Sequence, residues 1–122
     1  MRQAHRQSLG HLGESIAAVY LEKQGYSIIE RNCHTPYGEI DLITQREGVI
    51  VFVEVKTRST RSFGPPEISI TPQKQGHMRS AAAYYIQQHP ELATDWRIDA
   101  IAIQMQGDQK QPLLDHFENV VS

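Results

Sequence analysis

The sequence predicts a single α/β domain with a mixed sheet, its elements in the order α-β-β-β-α-β and its helices on the sheet faces. Three observations carry that prediction. Apolar residues recur at helical spacing in two stretches and alternate or run unbroken in the others. Two of the strand-like stretches lie only about four residues apart, which makes them an antiparallel hairpin. The length of 122 residues leaves no room for a second core, so residues 1–122 are read as one domain.

Residues 1–8 carry Arg2, His5 and Arg6 without an acid, and are expected to form a flexible arm. Ser8 then precedes a helical stripe of Leu9, Leu12, Ile16, Val19 and Tyr20, widened by Ala17, Ala18 and Leu21. Gly25 closes it, so the first helix is expected over residues 9–24. Residues 26–30 read as a short strand and residues 38–44 as a second. After a turn near Arg46-Glu47-Gly48, residues 49–56 give the strongest strand signal in the chain. Residues 57–70 hold Gly64, Pro65 and Pro66, and a connection this long in a compact domain is functional or mobile. Thr71-Pro72 supplies the N-cap and first-turn proline of a second helix running to about Gln88. Residues 96–105 form a fourth strand around Ile98, Ala100, Ile101, Ala102 and Ile103, and residues 113–121 read as a short strand or a turn.

Composition excludes several function classes. With 39% hydrophobic and 21% charged residues, the chain lies far from the composition of disordered proteins. Twelve Lys+Arg against fourteen Asp+Glu, a net charge of −2, exclude a uniformly basic DNA-coating protein, so an anionic partner must meet a local patch. A single cysteine, Cys33, excludes a disulfide framework and a Cys-rich zinc or iron–sulfur site. The six histidines show no metal-ligand spacing. No apolar run approaches the ~18 residues of a membrane span. The segment after Met1 lacks the apolar region of a secretory signal, so the expected location is cytoplasmic, with no membrane partner.

The third strand is where chemistry first appears. Val49, Val51, Val53 and Val55 share one face, and Ile50, Phe52, Glu54 and Lys56 share the other. A strand apolar on both faces is buried on both, yet one face ends in a carboxylate and an ammonium. Each needs a partner, a metal or a cleft, because an unpaired buried charge is costly. On the second strand, Glu39, Asp41 and Ile43 are expected on one face, opposite Ile40 and Leu42. A turn centred near residues 46–47 sets Asp41 opposite about Phe52 and Glu39 opposite about Glu54. Three carboxylates and a lysine then converge at one end of the hairpin.

Two readings of that cluster stay open on the residues alone. One is a buried ion pair, Glu54–Lys56 or Lys56–Asp41, that fixes strand register. The other is a divalent cation offsetting the repulsion of crowded carboxylates, with all-oxygen ligands favouring Mg²⁺ or Mn²⁺ over zinc. A carboxylate-bound cation beside a lysine fits phosphodiester hydrolysis, the lysine orienting the attacking water or stabilising developing charge.

The segment Gly38-Glu39-Ile40-Asp41-Leu42-Ile43, followed by Val51-Phe52-Val53-Glu54-Val55-Lys56-Thr57-Arg58, resembles the signature of the uncharacterised YraN family of bacteria. That family looks like a branch of the PD-(D/E)XK nucleases, with a restriction-endonuclease-like core similar to that of archaeal Holliday-junction resolvases. The resemblance extends from Gly13-Glu14 through Gly25-Tyr26 and Arg31-Asn32 to Trp96-Arg97-Ile98-Asp99. It implies a metal-binding acid at Asp41, an E-x-K pair at Glu54 and Lys56, and an assisting acid at Glu14. Ile40 stands where the superfamily has its proline.

Other candidates carry two readings each. Glu14 lies beside Ala17, Ala18 and Leu21 on a helical wheel, either near the sheet or as a solvated edge residue. Glu39 is a metal ligand or a neighbouring acid that tunes the site. Asp99 shares a strand face with Arg97 and reads as its ion-pair partner. Lys74 falls in the first turn of the second helix, where a cation opposes the dipole, and contacts either phosphate or solvent.

The charge is uneven. Residues 56–79 hold five cations and one acid, a net of +4, whereas residues 91–122 sum to −4. Arg58, Arg61 and Lys74 are therefore the candidate contacts to a nucleic-acid backbone. The sequence reading is a Mg²⁺- or Mn²⁺-dependent nuclease acting on DNA, including branched or junction DNA. Asp41, Glu54 and Glu39 bind the metal in it, with Glu14 and Lys56 assisting. A homodimer is expected, since so small a domain offers little surface to hold a four-way junction alone. The alternative is a catalytically silent nucleic-acid-binding or adaptor domain that keeps the same fold.

Overall fold

The structure is a computed structural model that describes residues 2–59, 70–92, 95–107 and 110–121, with residues 2–7 described by backbone alone. Its elements are α1 (Arg2–Lys23), β1 (Ser27–Thr35), β2 (Gly38–Arg46), β3 (Val49–Arg58), α2 (Pro72–Gln88), β4 (Trp96–Gln104) and β5 (Leu113–Phe117). The five strands form one sheet in the order β1-β2-β3-β4-β5. The β1–β2, β2–β3 and β4–β5 pairs are antiparallel, and β3 and β4, joined through α2, are parallel.

Each helix covers one sheet face. Ala17, Ala18 and Leu21 of α1 pack with Leu42, Val51, Val53, Ile101 and Ile103. On the other face Ala81, Ala82 and Tyr85 of α2 pack with Ile43, Ile50, Phe52 and Ile98. The alternation of β3 is thereby realised, with valines towards α1 and Ile50 and Phe52 towards α2. α2 starts where the Thr71-Pro72 signal sets it: Thr71 Oγ1 accepts from the Lys74 N–H at 3.1 Å.

Two boundaries differ most from the sequence reading. α1 begins at Arg2 rather than near residue 9, so the backbone of the stretch read as an arm is helical. Its end is as expected: Gly25, at φ +93°, lets the Tyr26 N–H reach the Leu21 carbonyl at 3.0 Å and the Gly25 N–H reach Glu22 at 3.1 Å. β1 runs to Thr35 instead of residue 30, because an edge strand needs only one buried face and its polar second half shows no alternation. Of the two readings of the tail, a short strand or a turn, it is the strand that forms: β5 pairs with β4.

The hairpin register also differs, and it positions the site. The turn residues are Glu47 and Gly48, at φ +51° and +79°, a tight turn of the kind that joins twisted strands. Its flanking pair is Arg46 with Val49, and the ladder runs to Leu42 with Val53. Ile43, not Asp41, lies opposite Phe52, and one step beyond the last pair Asp41 comes level with Glu54. The face assignment needs correcting too. Leu42 packs on the α1 side while Ile40, two residues earlier, packs on the α2 side. The strand therefore twists at Asp41. Asn32, which the β1–β2 register sets across from Asp41, takes φ +53° and falls out of the ladder.

Candidate functional site

Past the Leu42–Val53 pair, Asp41 accepts the Val55 N–H through Oδ2 at 2.8 Å. This bond takes the place of a ladder bond and holds the carboxylate between β2 and β3. Glu39 precedes it on β2. From the α1 side comes Glu14, which follows Gly13; a Cβ at Gly13 would collide with the Thr57 side chain, so glycine there lets α1 lie close against β3. One carboxylate oxygen each from Glu14, Glu39 and Asp41 lie within 4.8 Å of one another.

The electrostatics of this cluster are unbalanced. Glu14 is only 8% exposed, and its Oε1 is buried without a hydrogen-bond partner among the described residues, the His11 ring standing off at 3.5 Å. The Asp41 carboxyl is pushed up to about 7, first by burial and then by the charge of Glu54. The Val55 N–H opposes the shift, and Glu14 and Glu39 add to it. Four carboxylates thus bear on one another. Among the described residues Glu54 alone of the four is closely neutralised: its Oε1 meets Lys74 Nζ at 2.8 Å. Glu39 has there only the exposed ring of His34, at 3.5 Å.

Three of these acids, Glu39, Asp41 and Glu54, line a cavity of about 340 Å³ between the hairpin and α2, with Lys74, His77 and Tyr37 among its other walls. The Asp41–Glu39–Glu54 convergence thus forms by a different register, and Glu14 faces the sheet rather than solvent. Lys56 lies two residues beyond Glu54 on β3, is exposed, and makes no ion pair among the described residues. Neither sequence-level ion pair, Glu54–Lys56 or Lys56–Asp41, forms. The partner of Glu54 is Lys74, whose side chain is still 42% exposed, so the cation in the first turn of α2 meets a carboxylate as well as solvent. Arg58 closes β3. Arg61 and most of the 57–70 connection lie outside the described residues. The sequence reading missed Tyr37 and His77; the only signal was the Thr35-Pro36-Tyr37-Gly38 turn sequence, which marks a turn and not a site.

The expected Arg97–Asp99 pair is present, with Nε to Oδ1 at 3.0 Å, but within a larger network. Asp99 is fully buried and also takes bonds from His116 Nε2 at 2.8 Å and the Asn119 N–H at 2.9 Å. Arg97 reaches the Tyr26 hydroxyl and Glu118, both at 2.9 Å, and His116 Nδ1 meets the Tyr20 hydroxyl at 3.0 Å. Burial pushes the Asp99 carboxyl upward, but the bonds from His116, Arg97 and Asn119 outweigh it and hold the group below the usual range.

Comparison with known proteins supplies a family. The model of the uncharacterised protein family UPF0102, the YraN family, matches residues 13–103. The chain belongs to that family. UPF0102 proteins similar to it include one from Syntrophomonas wolfei, 42% identical over 91% of this chain and 95% of its own length. Another, from Neisseria meningitidis, is 42% identical over 85% of this chain and 89% of its own. Among solved structures, Pyrococcus furiosus SfsA in complex with Ca²⁺ matches at a TM-score of 0.45 and 15% identity, over 92% of this chain and 64% of the SfsA chain. No described helix is long and apolar enough to cross a membrane.

Proposed function

We propose that this UPF0102 chain is a metal-dependent nuclease with a restriction-endonuclease-like core, hydrolysing phosphodiester bonds in DNA. The observation that carries the reading is Glu14: its Oε1 is buried with no hydrogen-bond partner among the described residues, and one of its carboxylate oxygens lies within 4.8 Å of oxygens of Asp41 and Glu39. A buried oxygen without a donor, facing further acids, is a costly arrangement that a divalent cation relieves. The donor set is all oxygen, so it fits Mg²⁺ or Mn²⁺.

Asp41, Glu39 and Glu14 would hold the ion, with Glu54 at the same cavity. Such an ion would supply Lewis-acid polarisation of a phosphate oxygen and activation of water for hydrolysis. The Val55 N–H fixes the Asp41 carboxylate in place, so little ordering remains when a ligand arrives. Lys56, exposed and free of ion pairs among the described residues, supplies the cation that orients the attacking water or offsets charge on the phosphate. Arg58 and Arg61 extend that positive charge along the chain for the strand backbone.

The test is cleavage of branched, nicked and single-stranded DNA with Mg²⁺ or Mn²⁺ by wild type, Asp41→Asn and Lys56→Ala. Metal-dependent cutting that both substitutions reduce by about 10²-fold or more supports the reading. Equal DNA binding by all three proteins with no cutting sinks it, and leaves a silent binding domain.

A further inference from the structure

One residue lining the cavity has a property that metal chemistry does not require. Tyr37 stands at its rim, 50% exposed, at the tip of the β1–β2 turn. The turn is fixed: Thr35 Oγ1 donates to the Gly38 carbonyl at 2.6 Å and accepts the Tyr37 N–H at 3.1 Å. Gly38, at φ +130°, takes a backbone conformation that side chains disfavour, which sends the chain straight from Tyr37 into Glu39. The Tyr37 ring meets Tyr84 of α2 edge-on, with centroids 6.4 Å apart. An aromatic ring is thus held, half bare, two residues from a carboxylate of the cluster.

We infer that Tyr37 is a stacking platform for an unpaired nucleobase, and that the site acts on single-stranded stretches of DNA. The inference rests on the nuclease reading above and names its substrate class. A ring stacks on a base only if the face of that base is free, and within a duplex both faces are covered by neighbouring pairs. Tyr37 pays little entropy to serve, because Tyr84 and the turn already restrict it. Electrostatics point the same way. Duplex binding depends chiefly on many phosphate contacts, and at this cavity Lys74 is committed to Glu54 while three acids face the opening. Stacking supplies affinity that does not depend on positive charge.

Binding of fluorescein-labelled oligothymidylate of about 12 nucleotides, and of a duplex of equal length, is measured by anisotropy in EDTA. The proteins are Asp41→Asn, used so that neither metal nor the proposed cutting enters the readout, and the same chain carrying Tyr37→Ala or Tyr37→Trp. Tyr37→Ala is expected to weaken single-strand binding about tenfold, Tyr37→Trp to restore it, and duplex binding to stay unchanged. Single-strand binding that is absent or indifferent to Tyr37, or equal losses on strand and duplex, overturns the inference. Cleavage plays no part in this readout. A wild-type chain that binds strands through Tyr37 but never cuts them sinks the nuclease reading and leaves the platform standing.

Discussion

Two aspartates sit in this fold under opposite regimes. Asp99 is fully buried, yet its carboxyl lies below the usual range, because Arg97, His116 and the Asn119 N–H surround it. Asp41 is only partly buried, yet its carboxyl is pushed up to about 7, first by that burial and then by Glu54, with Glu14 and Glu39 adding to it and the Val55 N–H opposing it. Burial alone therefore does not decide the fate of a carboxylate; the completeness of its partners does. The Asp99 centre is electrostatically complete within the chain, with the Arg97 guanidinium inside it. The Asp41 centre is short of positive charge, and that deficit is what the proposed metal ion would make good.

Breaking the complete centre has the largest expected effect. Asp99→Ala strands His116 and Arg97, whose side chains are 10% and 28% exposed. It is expected to cost about 3 kcal/mol in urea unfolding. A loss under about 1 kcal/mol would mean the network is not holding β4, β5 and α1 together, and the contrast with Asp41 would fail.

The opposite sign is expected at Asp41. The native carboxyl keeps its proton up to about pH 7, while the unfolded chain releases it near 3.8. The metal-free native state therefore holds its full stability below that lower value and loses part of it as pH rises through 7. Asp41→Asn removes the loss and keeps an oxygen for the Val55 N–H. In EDTA at about pH 8 it is expected to be more stable than wild type by about 2 kcal/mol, with no difference near pH 4. Asp99 contributes with the other sign: its depressed carboxyl stabilises above the unfolded value and the gain fades as pH falls. Urea unfolding of both proteins across that range separates the two regimes. Destabilisation by Asp41→Asn at alkaline pH would show that the cluster is compensated after all.

The difference between the two centres also explains what could be read in advance. The β3 strand was legible because double burial leaves an unbroken apolar run, and Glu54 and Lys56 stood out at its end. The clustering of acids was legible because a hairpin brings near neighbours together. Their register was not: moving the turn by one residue, to Glu47-Gly48, moves every partner by two. The twist at Asp41 comes from Asn32 on another strand, so no period in β2 itself announces it. Pairs made across long separations were hidden for the same reason. Lys74 meets Glu54 because α2 folds back over β3, and His116 meets Asp99 because the tail becomes β5.

Lys74 offers the smallest effect and the finest discrimination. It meets Glu54 at 2.8 Å, but the lysine side chain is 42% exposed, so the pair contributes only about 0.5 kcal/mol. Lys74→Ala is expected to lower the metal-free melting midpoint slightly. The informative measurement is the rise in midpoint when Mn²⁺ is added. If Glu54 belongs with Asp41, the ammonium and the metal ion compete for one carboxylate, and removing the ammonium lets the same Mn²⁺ concentration raise the midpoint further than in wild type. If Glu54 is complete with Lys74, as Asp99 is with Arg97, the two rises are equal. Equal rises would move Glu54 from the deficient centre to the complete one, leaving Asp41, Glu39 and Glu14 as the whole of the metal-binding set.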